Sequence, residues 1–389
     1  SVGEAFQVKP SASVFLTKAQ RETLLKTYNE SYEESLGGWG DAQKFIDADS
    51  LDYAVMRAEA GDEMAAKRAK QTFDAATALI DPVWGGVFQY SEGGSWAKPH
   101  FEKIMSFQAQ YMRQYSQAYA FWKDPKYLTA ARDIERYLTS FLLDPDGAFY
   151  VSQDADLSHD VDGHKYYALD DAVRRKLGMP RIDKNQYARE NGWAISGLTA
   201  FYNVTNDPKV LAVAERTAKW VTENRALGDG GFRHGGKDRG GPYLGDTLAM
   251  GQAFLDLYAA TGDRQWLTAA GKAGDFIGAT FKDDAGGFFT SKTGEAKIGV
   301  FAKPAKLADD QVQVARFMNM LNRYFGKDVY KDDASHAMRY LTGLSADVER
   351  PLPGVLLADE ELAIEPTHMT IVGHKDDPLA QKLFAAARA

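Results

Sequence analysis

Apolar residues recur at helical spacing along most of this chain. Over residues 18–36 the side chains of Leu24, Leu25, Tyr28 and Tyr32 fall near one face of a predicted helix. Further helices are predicted over 187–204, 208–224, 246–261 and 264–281. Apolar stripes on them, such as Trp193, Leu198, Phe201 and Tyr202, are predicted to face the core. The pattern predicts an all-α protein.

The first of two recurring turns between these segments is tight and carries an aspartate. It reads GDEMAAKRA at 61–69, KDPKYLTAA at 123–131, NDPKVLAVA at 206–214, GDRQWLTAA at 262–270 and, more loosely, KDVYKDDASHAM at 327–338. Aspartate before a helix accepts hydrogen bonds from the free amides of the first turn, and proline suits the first helical position. We therefore expect helix starts after Asp62, Asp124, Asp207, Asp263 and Asp328.

The second kind of turn is long and runs from glycine into aromatic residues. It reads GGWG at 37–40, GGVFQY at 85–90, GAFYVS at 147–152, GGFRHG at 230–235 and GGFFTS at 286–291. The alternation of helix, tight turn, helix and long loop predicts five or six helical hairpins in series, with brief β-segments in the long loops. Tight turns should lie at one end of the assembly and long loops at the other.

Residues 81–103 form the long loop with the densest chemistry. Its two glycine pairs predict a shaped loop, and its second proline predicts a helix over 100–117. His100, Glu102 and Lys103 would then lie on the first helical turn, as part of a pocket wall. The alternative is that these three groups pair with one another and anchor the loop.

Several motifs together resemble one family. They are GGVFQYS, a tryptophan and PHFEK within 85–103, GGWGDAQKF at 37–45, DGAFYVSQDAD at 147–156 and IVGHKDDP at 371–378. In these the chain resembles the spermatogenesis-associated-protein-like, or YyaL-type, proteins, which join a thioredoxin-like domain to a six-hairpin glycosidase-like barrel. The resemblance implies that the hairpins close into an (α/α)6 barrel. Where relatives usually show GGFGGAPKFP, this chain has GGWGDAQKFID, so the pocket wall differs.

The domain organisation follows from the same resemblance. We expect a single barrel domain over 1–389, with an extended lead-in at 1–17 and a C-terminal segment, 351–389, that caps the barrel. Within that segment TIVG predicts a strand before a last helix. The sequence in hand contains nothing like the thioredoxin-like domain, so a separate thioredoxin-like partner chain is an expectation.

Candidate chemistry lies in the long loops, which should converge on one cavity. Carboxylates between aromatic rings suit sugar chemistry, since one acid protonates the leaving oxygen and a second carboxylate activates water or attacks. The catalytic candidates are Glu102, Asp154, Asp156 and Asp246. The substrate-binding candidates are Trp39, Lys44, Tyr90, Trp96, His100, Lys103, Gln153 and Tyr243. Asp309 and Asp310 belong to the same inventory, although they and the catalytic candidates could equally cap turns and helices.

Two other constellations compete with the carboxylate pair. A sugar epimerase would use two histidines as acid and base, and the loop candidates are His100, His159, His164 and His234. The run DADLSHDVDG at 154–163 has alternating carboxylates but lacks the full spacing of a calcium loop. We predict no metal and no cofactor. The function expected is a glycoside hydrolase or a sugar epimerase or isomerase, and the alternative is a non-catalytic module that binds a saccharide or a protein.

The composition limits the classes of molecule that the protein is expected to bind. The net charge is −8, from 46 basic and 54 acidic residues, which argues against nucleic acid. No apolar run reaches the roughly 18 residues of a membrane span. The chain has no cysteine, which excludes disulfides and thiol chemistry and favours a periplasmic or secreted protein over a cytoplasmic one. Aromatic residues make up 12% of the chain and suit the predicted saccharide ligand.

Overall fold

The computed structural model of the protein describes residues 8–238, 240–292, 304–346 and 350–388. Its α-helices are α1 (Lys18–Glu30), α2 (Ala48–Glu59), α3 (Glu63–Ala76), α4 (Met105–Trp122), α5 (Pro125–Tyr137), α6 (Gly163–Tyr167), α7 (Asp171–Leu177), α8 (Ala188–Thr205), α9 (Pro208–Arg225), α10 (Leu244–Thr261), α11 (Arg264–Phe281), α12 (Ala308–Phe325), α13 (Asp328–Leu344), α14 (Pro353–Ala363) and α15 (Pro378–Arg388). Its strands are β1 (Gln43–Lys44), β2 (Tyr90–Glu92), β3 (Pro99–His100), β4 (Lys103–Ile104), β5 (Ser152–Gln153) and β6 (Ile182–Asp183).

Six helices form a closed inner ring. Around the ring they follow the order α2, α4, α8, α10, α12 and α14, and α14 packs against α2 to close it. Each inner helix packs against an outer partner, which is α3, α5, α9, α11, α13 or α1 in the same order. The predicted all-α (α/α)6 barrel is therefore confirmed. Its sixth pair joins α14, near the C-terminus, to α1, near the N-terminus.

All five tight turns lead into outer helices as predicted, and at four of them the aspartate caps the helix. Asp62, Asp124, Asp207 and Asp263 are N-caps whose carboxylates accept hydrogen bonds from first-turn amides. The predicted cap at Asp328 is wrong, because Lys327 occupies the cap position and makes no side-chain cap bond. Asp328 lies inside the first turn, where its charge still suits the helix dipole.

The long loops are fastened to the inner helices by a repeated contact. In four of the five long loops, the backbone N–H of an apolar residue that follows the glycine donates to a buried side-chain oxygen on the next inner helix. The pairs are Val87 with Gln108, Phe149 with Asn191, Phe232 with Thr247 and Phe288 with Gln311, at 2.7 to 3.0 Å. All four acceptors are buried. These bonds hold the loops over the N-terminal ends of the inner helices.

The helix predicted over 100–117 begins later, at Met105. The backbone before it is used in two small antiparallel sheets, β1-β2-β3 and β4-β5-β6. Tyr90 pairs with His100 in the first, and Lys103 pairs with Gln153 in the second. His100, Glu102 and Lys103 therefore lie on or between strands. His100 pairs within its own long loop, and Lys103 pairs with the third long loop.

The C-terminal segment has two parts. Helix α14 belongs to the inner ring, and residues 364–377 follow it without helix or strand, so the predicted TIVG strand is wrong. Helix α15 lies at the end of the barrel that carries the tight turns, where Arg388 donates to the carbonyl of Ala260 at 3.1 Å. The described part of the lead-in, 8–17, is neither helix nor strand before α1.

One buried carboxylate joins the two chain ends. Asp359 on α14 is fully buried, accepts a hydrogen bond from the backbone N–H of Leu16 at 2.8 Å and forms an ion pair with Arg21 on α1. On the next residue of α14, Glu360 accepts a hydrogen bond from Tyr53 on α2 at 2.9 Å. These contacts fix α14 between its neighbours in the ring.

We predict that Asp359→Ala weakens the closure. The Leu16 N–H would stay buried without an acceptor, which costs about 1–3 kcal/mol of the free energy of unfolding. Urea unfolding monitored by circular dichroism measures the change. The control is Glu365→Gln, at an almost fully exposed partner of Arg323, which should leave the midpoint unchanged. Equal midpoints for both variants would contradict the assignment of Asp359 as the closing contact.

Candidate functional site

A continuous cavity follows the axis of the inner ring. Its part near the long loops has a volume of about 630 Å³, and the part below it has about 670 Å³. The two parts share wall residues, among them Asp49, Arg113, Trp193 and Asp310. We call the whole space the channel and its end under the long loops the mouth.

Aromatic side chains line the mouth. Phe45 and Phe107 meet edge to face with ring centroids 6.0 Å apart. Trp193 on α8 is half-buried at the wall, and the guanidinium of Arg189 lies 4.8 Å from the centroid of its ring. Trp193 was predicted to be a core residue, and the structure corrects this, because one side of α8 faces the channel. An accessible indole suits stacking on the apolar face of a sugar ring.

Two carboxylates near the mouth have strongly raised pKa values. Asp49 lies in the first turn of α2, and burial raises its pKa to about 7, with Asp52 as a further cause. Asp310 lies in the first turn of α12, and burial raises its pKa to about 6, helped by the neighbouring charge of Asp309. Within the described residues, neither Asp49 nor Asp310 forms a salt bridge. Carboxylates in this state can exchange protons near neutral pH.

Asp49 is held close to the start of α14. Gly354 lies so near that a β-carbon at this position would stand 2.2 Å from Oδ2 of Asp49 and 3.1 Å from Val312. The glycine therefore leaves the space that the carboxylate occupies. The packing of α14 that closes the ring therefore also determines where the Asp49 carboxylate lies.

Some of the other charges in the channel wall are paired, whereas Asp47, Asp256, Asp309 and Arg350 form no salt bridge among the described residues, and burial raises the pKa of Asp256 as well. Asp52 is buried and accepts a hydrogen bond from Arg113 at 2.7 Å. Arg316 donates two hydrogen bonds to Glu361, at 2.8 and 2.9 Å, in a bidentate pair. These pairs present hydrogen-bonding groups of fixed orientation to a ligand.

None of the twelve predicted catalytic and substrate-binding residues lines the channel within the described part of the chain, whereas Asp309 and Asp310, which belonged to the wider predicted inventory, do. Lys103 is fully buried, where it donates to Asp81 at 2.9 Å and to the carbonyl of Gly85 at 2.8 Å. Arg174 donates to the same Asp81 carboxylate at 2.7 Å. Burial lowers the pKa of Lys103 to about 8, so it remains a cation at neutral pH. Gln153, also fully buried, accepts from Tyr137 at 3.1 Å.

Three further predicted binding residues lie in the packed wall around the first long loop. Lys44 is buried and donates to the carbonyl of Gly40 at 2.8 Å. Trp39 stacks on Tyr28 with ring centroids 5.4 Å apart. The indole N–H of Trp96 donates to the carbonyl of Leu36 at 2.9 Å. All three are engaged in packing and hydrogen bonds in and around the first long loop.

The first predicted catalytic group, Glu102, lies beside its predicted neighbours on the outer strands. Tyr90 stacks on His100 with centroids 5.1 Å apart, and Glu102 lies 3.8 Å from Nε2 of His100. These three form one half-buried group. The anchoring alternative is met for His100 but not for Lys103, which pairs with Asp81 instead of Glu102.

The remaining predicted carboxylates have other partners. Asp154 pairs with Arg181 at 2.9 Å. Asp156 accepts a hydrogen bond from the backbone N–H of Gly163 at 2.7 Å and so stabilises the loop between them. Within the described residues no group of three or more His, Asp or Glu is placed to hold a metal ion. The catalytic roles of Glu102, Asp154 and Asp156 stay predictions.

The fourth predicted carboxylate, Asp246, forms a dyad with His234. Nδ1 of His234 lies 2.9 Å from Oδ1 of Asp246, and this hydrogen bond raises the pKa of the histidine. The imidazole stacks on Tyr187 at 3.9 Å, and Tyr243, which is partly exposed, meets it edge to face. The dyad lies next to Gly245, which lines the channel. The catalytic role of Asp246 stays a prediction.

The channel residues that the sequence reasoning missed share one signal. On α12 the missed residues Gln313, Arg316, Met320 and Arg323 follow Asp310, which the sequence had indicated, and line the channel with it at spacings of three and four. Such a stripe normally indicates a solvent-facing helix surface. In a ring it faces the enclosed channel, while apolar residues on the other sides pack against the neighbouring helices. Asp49 and Asp52 on α2 have the same spacing.

The ring and its channel define a six-hairpin glycosidase-like protein. The fold is similar to cellobiose 2-epimerase from Bacillus thermoamylovorans B4167, with a TM-score of 0.65 at 11% identity over 82% of this chain and 85% of that one. It is also similar to the GH76 mannosidase Bt3792 from Bacteroides thetaiotaomicron VPI-5482, with a TM-score of 0.59 at 12% identity over 88% and 98%.

The sequence comparison names the family. The chain belongs to the family of the beta-L-arabinofuranosidase GH127 catalytic domain, whose profile matches residues 39–311. Spermatogenesis-associated protein 20 from Homo sapiens is 24% identical over 463 residues, which cover 90% of this chain and 58% of that protein. The predicted family resemblance is thereby confirmed. The chain spans 57 to 63% of the length of the first three curated relatives.

These findings place the chain in a carbohydrate-active enzyme family. They do not support the expected thioredoxin-like partner chain. Among the described helices, none has the length and apolar character that a membrane crossing requires.

We predict that Gly354→Ala lowers the pKa of Asp49. The new methyl group must displace the carboxylate, and a more solvated position moves its pKa down toward the ordinary value. Carboxyl carbon chemical shifts, followed by NMR through a pH titration, measure the change directly. Gly236→Ala is the matched control, because a β-carbon there meets no atom within 4 Å. An unchanged pKa for Asp49 in Gly354→Ala would show that the close approach does not set its environment.

Proposed function

We propose that the protein is a carbohydrate-active enzyme that acts on a saccharide in the channel with Asp49 and Asp310 as general acid and base. One observation carries the proposal. Two carboxylates of raised pKa, neither of which forms a salt bridge among the described residues, line the same part of one cavity. Structural carboxylates in the channel, such as Asp52 and Glu361, have arginine partners instead.

The two pKa values suggest separate roles. At a pH between about 6 and 7, Asp49 still carries a proton while Asp310 has lost its own. Asp49 is then the acid that protonates the leaving oxygen or the sugar, and Asp310 is the base that activates water or removes a proton. The same pair serves hydrolysis of a glycosidic bond or isomerisation of a sugar.

The walls suit this ligand class. Trp193 offers an aromatic platform at the mouth, and the Asp52–Arg113 and Arg316–Glu361 pairs offer oriented hydrogen-bonding groups below it. A sugar ring has one apolar face and a rim of hydroxyls, so it matches both surfaces. A non-catalytic binding module would need the same walls but would not need unpaired carboxylates of raised pKa.

Substitution of the acid and base is the first test. We predict that Asp49→Asn and Asp310→Asn each lower turnover by about 10²- to 10⁴-fold, because each removes a proton-transfer group. A panel of mono- and oligosaccharides is screened first for a shift in melting temperature and then for product formation. A ligand at 100 times its dissociation constant stabilises the fold by about 2.7 kcal/mol.

The comparison variant is Glu102→Gln with Asp154→Asn, the pair predicted from the loop motifs. The channel proposal expects this double variant to keep near wild-type turnover. Loss of activity in the loop variant, with the Asp49 and Asp310 variants active, would move the chemistry to the loops. Binding without product in the wild type would favour the saccharide-binding module.

The pH dependence of turnover gives a second prediction. Below a pH of about 6, Asp310 becomes protonated and cannot act as the base; above about 7, Asp49 loses its proton and cannot act as the acid. We therefore expect a bell-shaped profile with its maximum between these values. This profile is obtained from steady-state rates measured between about pH 4 and 9, in steps of about half a pH unit. A profile that rises monotonically through neutral pH would contradict the assignment.

A further inference from the structure

The channel extends along nearly the whole inner ring. On α4 its wall runs from Ser106 to Ala120, and on α12 from Ala308 to Arg323. At a rise of about 1.5 Å per helical residue, either stretch spans roughly 20 Å. An extension of the channel, with a volume of about 300 Å³, reaches the end that carries the tight turns. A ring of helices open at that end would form a tunnel.

The C-terminal segment supplies the wall at this far end. Ile364 and Pro366 line the larger lower part, and Arg388 lines the extension beside Asn203 and Ala259. These three residues follow α14, the last helix of the inner ring in sequence, so the packing of the ring itself does not require them there.

Arg388 links the segment to the inner ring through several contacts. Its guanidinium lies 4.2 Å from the ring centroid of Tyr202 on α8. It donates to the carbonyl of Ala260 at 3.1 Å and to the side chain of Asn206, at the ends of α10 and α8. One side chain therefore bridges two neighbouring inner helices across the far end.

Few other contacts hold the segment. Helix α15 has no buried residue, and Leu379 and Leu383 on it are more than half exposed. Lys375 donates to the carbonyl of Gly262 at 3.2 Å, and the carbonyl of Ile364 accepts from Arg323 at 2.6 Å. The closure thus depends on a small number of polar bonds, which single substitutions can remove.

We propose that residues 364–388 close the far end of the channel and make it a blind pocket that admits a saccharide only by its chain end. The inference on substrate class rests on the proposed function, whereas the closure does not. A blind pocket excludes internal bonds of a long polymer, because the chain cannot pass through. The substrates would be short saccharides, or the terminal units of longer ones.

The absence of cysteine from the sequence allows a direct test of the closure. Asn203→Cys places a single thiol in the extension, at a side chain whose oxygen has no hydrogen-bond partner in the structure. The probe is a maleimide carried on a polyethylene glycol chain, which is too bulky to travel down the channel from the mouth. The rate of its addition to the thiol reports access from the far end.

We expect slow addition in the Asn203→Cys protein and a rate about tenfold higher when Lys375→Ala and Arg388→Ala are added. Loss of charged hydrogen bonds of this kind shifts a local opening equilibrium by about that factor. The matched control adds Lys382→Ala, an exposed position of α15 with no hydrogen bond to the barrel among the described residues. Circular dichroism at the reaction temperature checks that all variants remain folded.

Two results would overturn the closure: rapid addition with the segment intact, or equal rates with and without the anchors. Neither depends on turnover, so an inactive protein leaves this test valid. If turnover is found, the products decide the substrate class. Release of terminal units from an oligosaccharide supports the blind pocket, and an internal-bond product pattern in the wild type contradicts it.

Discussion

The hydrogen bond from Leu16 to the buried carboxylate of Asp359 joins the two ends of the chain, and the barrel is closed only where they meet. Five hairpins form from neighbouring stretches of sequence, but the sixth pair has to bring α1 and α14 together across more than 300 residues. Closing so long a loop costs entropy that local contacts do not repay. Burial of α14 between α2 and α12 provides the compensating contacts, and Asp359 fixes its position.

The candidate site depends on this closure. Gly354 on α14 leaves the space that Asp49 occupies, and residues around it form one wall of the mouth. With α14 displaced, Asp49 would meet water, and the burial that raises its pKa to about 7 would be lost. The raised pKa of Asp49, the acid of the proposed pair, therefore depends on α14, which is the C-terminal helix of the ring. The base depends on α12, which packs against the other side of α14.

Repeated local signals in the sequence predict most of the fold. The aspartates of the tight turns mark the outer helices because an N-cap is a short-range interaction that four residues can specify. The start of α4 was predicted wrongly, since Pro99 suits a first helical turn locally but is paired with β2 in the structure. Long-range strand pairing of this kind leaves no trace in helical periodicity.

The candidate site was harder to predict than the fold. Motif residues such as Lys103 and Gln153 attract attention because they are polar, yet both are buried: Lys103 is bonded to its own loop and Gln153 to Tyr137 at the end of α5. Asp49 and Arg316 belong to ordinary amphipathic stripes, and only the closed ring turns those stripes inward. The sequence pattern cannot distinguish a stripe that faces solvent from one that faces an enclosed channel. Asp310 could be proposed, because it follows a long loop at a helix start.

The most direct measurement is a crystal structure of the Asp49→Asn, Asp310→Asn double variant with a saccharide bound. Removal of both groups should block turnover and trap the ligand. The account predicts a sugar ring on the indole of Trp193, with hydroxyl or glycosidic oxygens within hydrogen-bonding distance of residues 49 and 310. A saccharide bound instead beside Tyr90 and His100, with the channel free of ligand, would contradict the account.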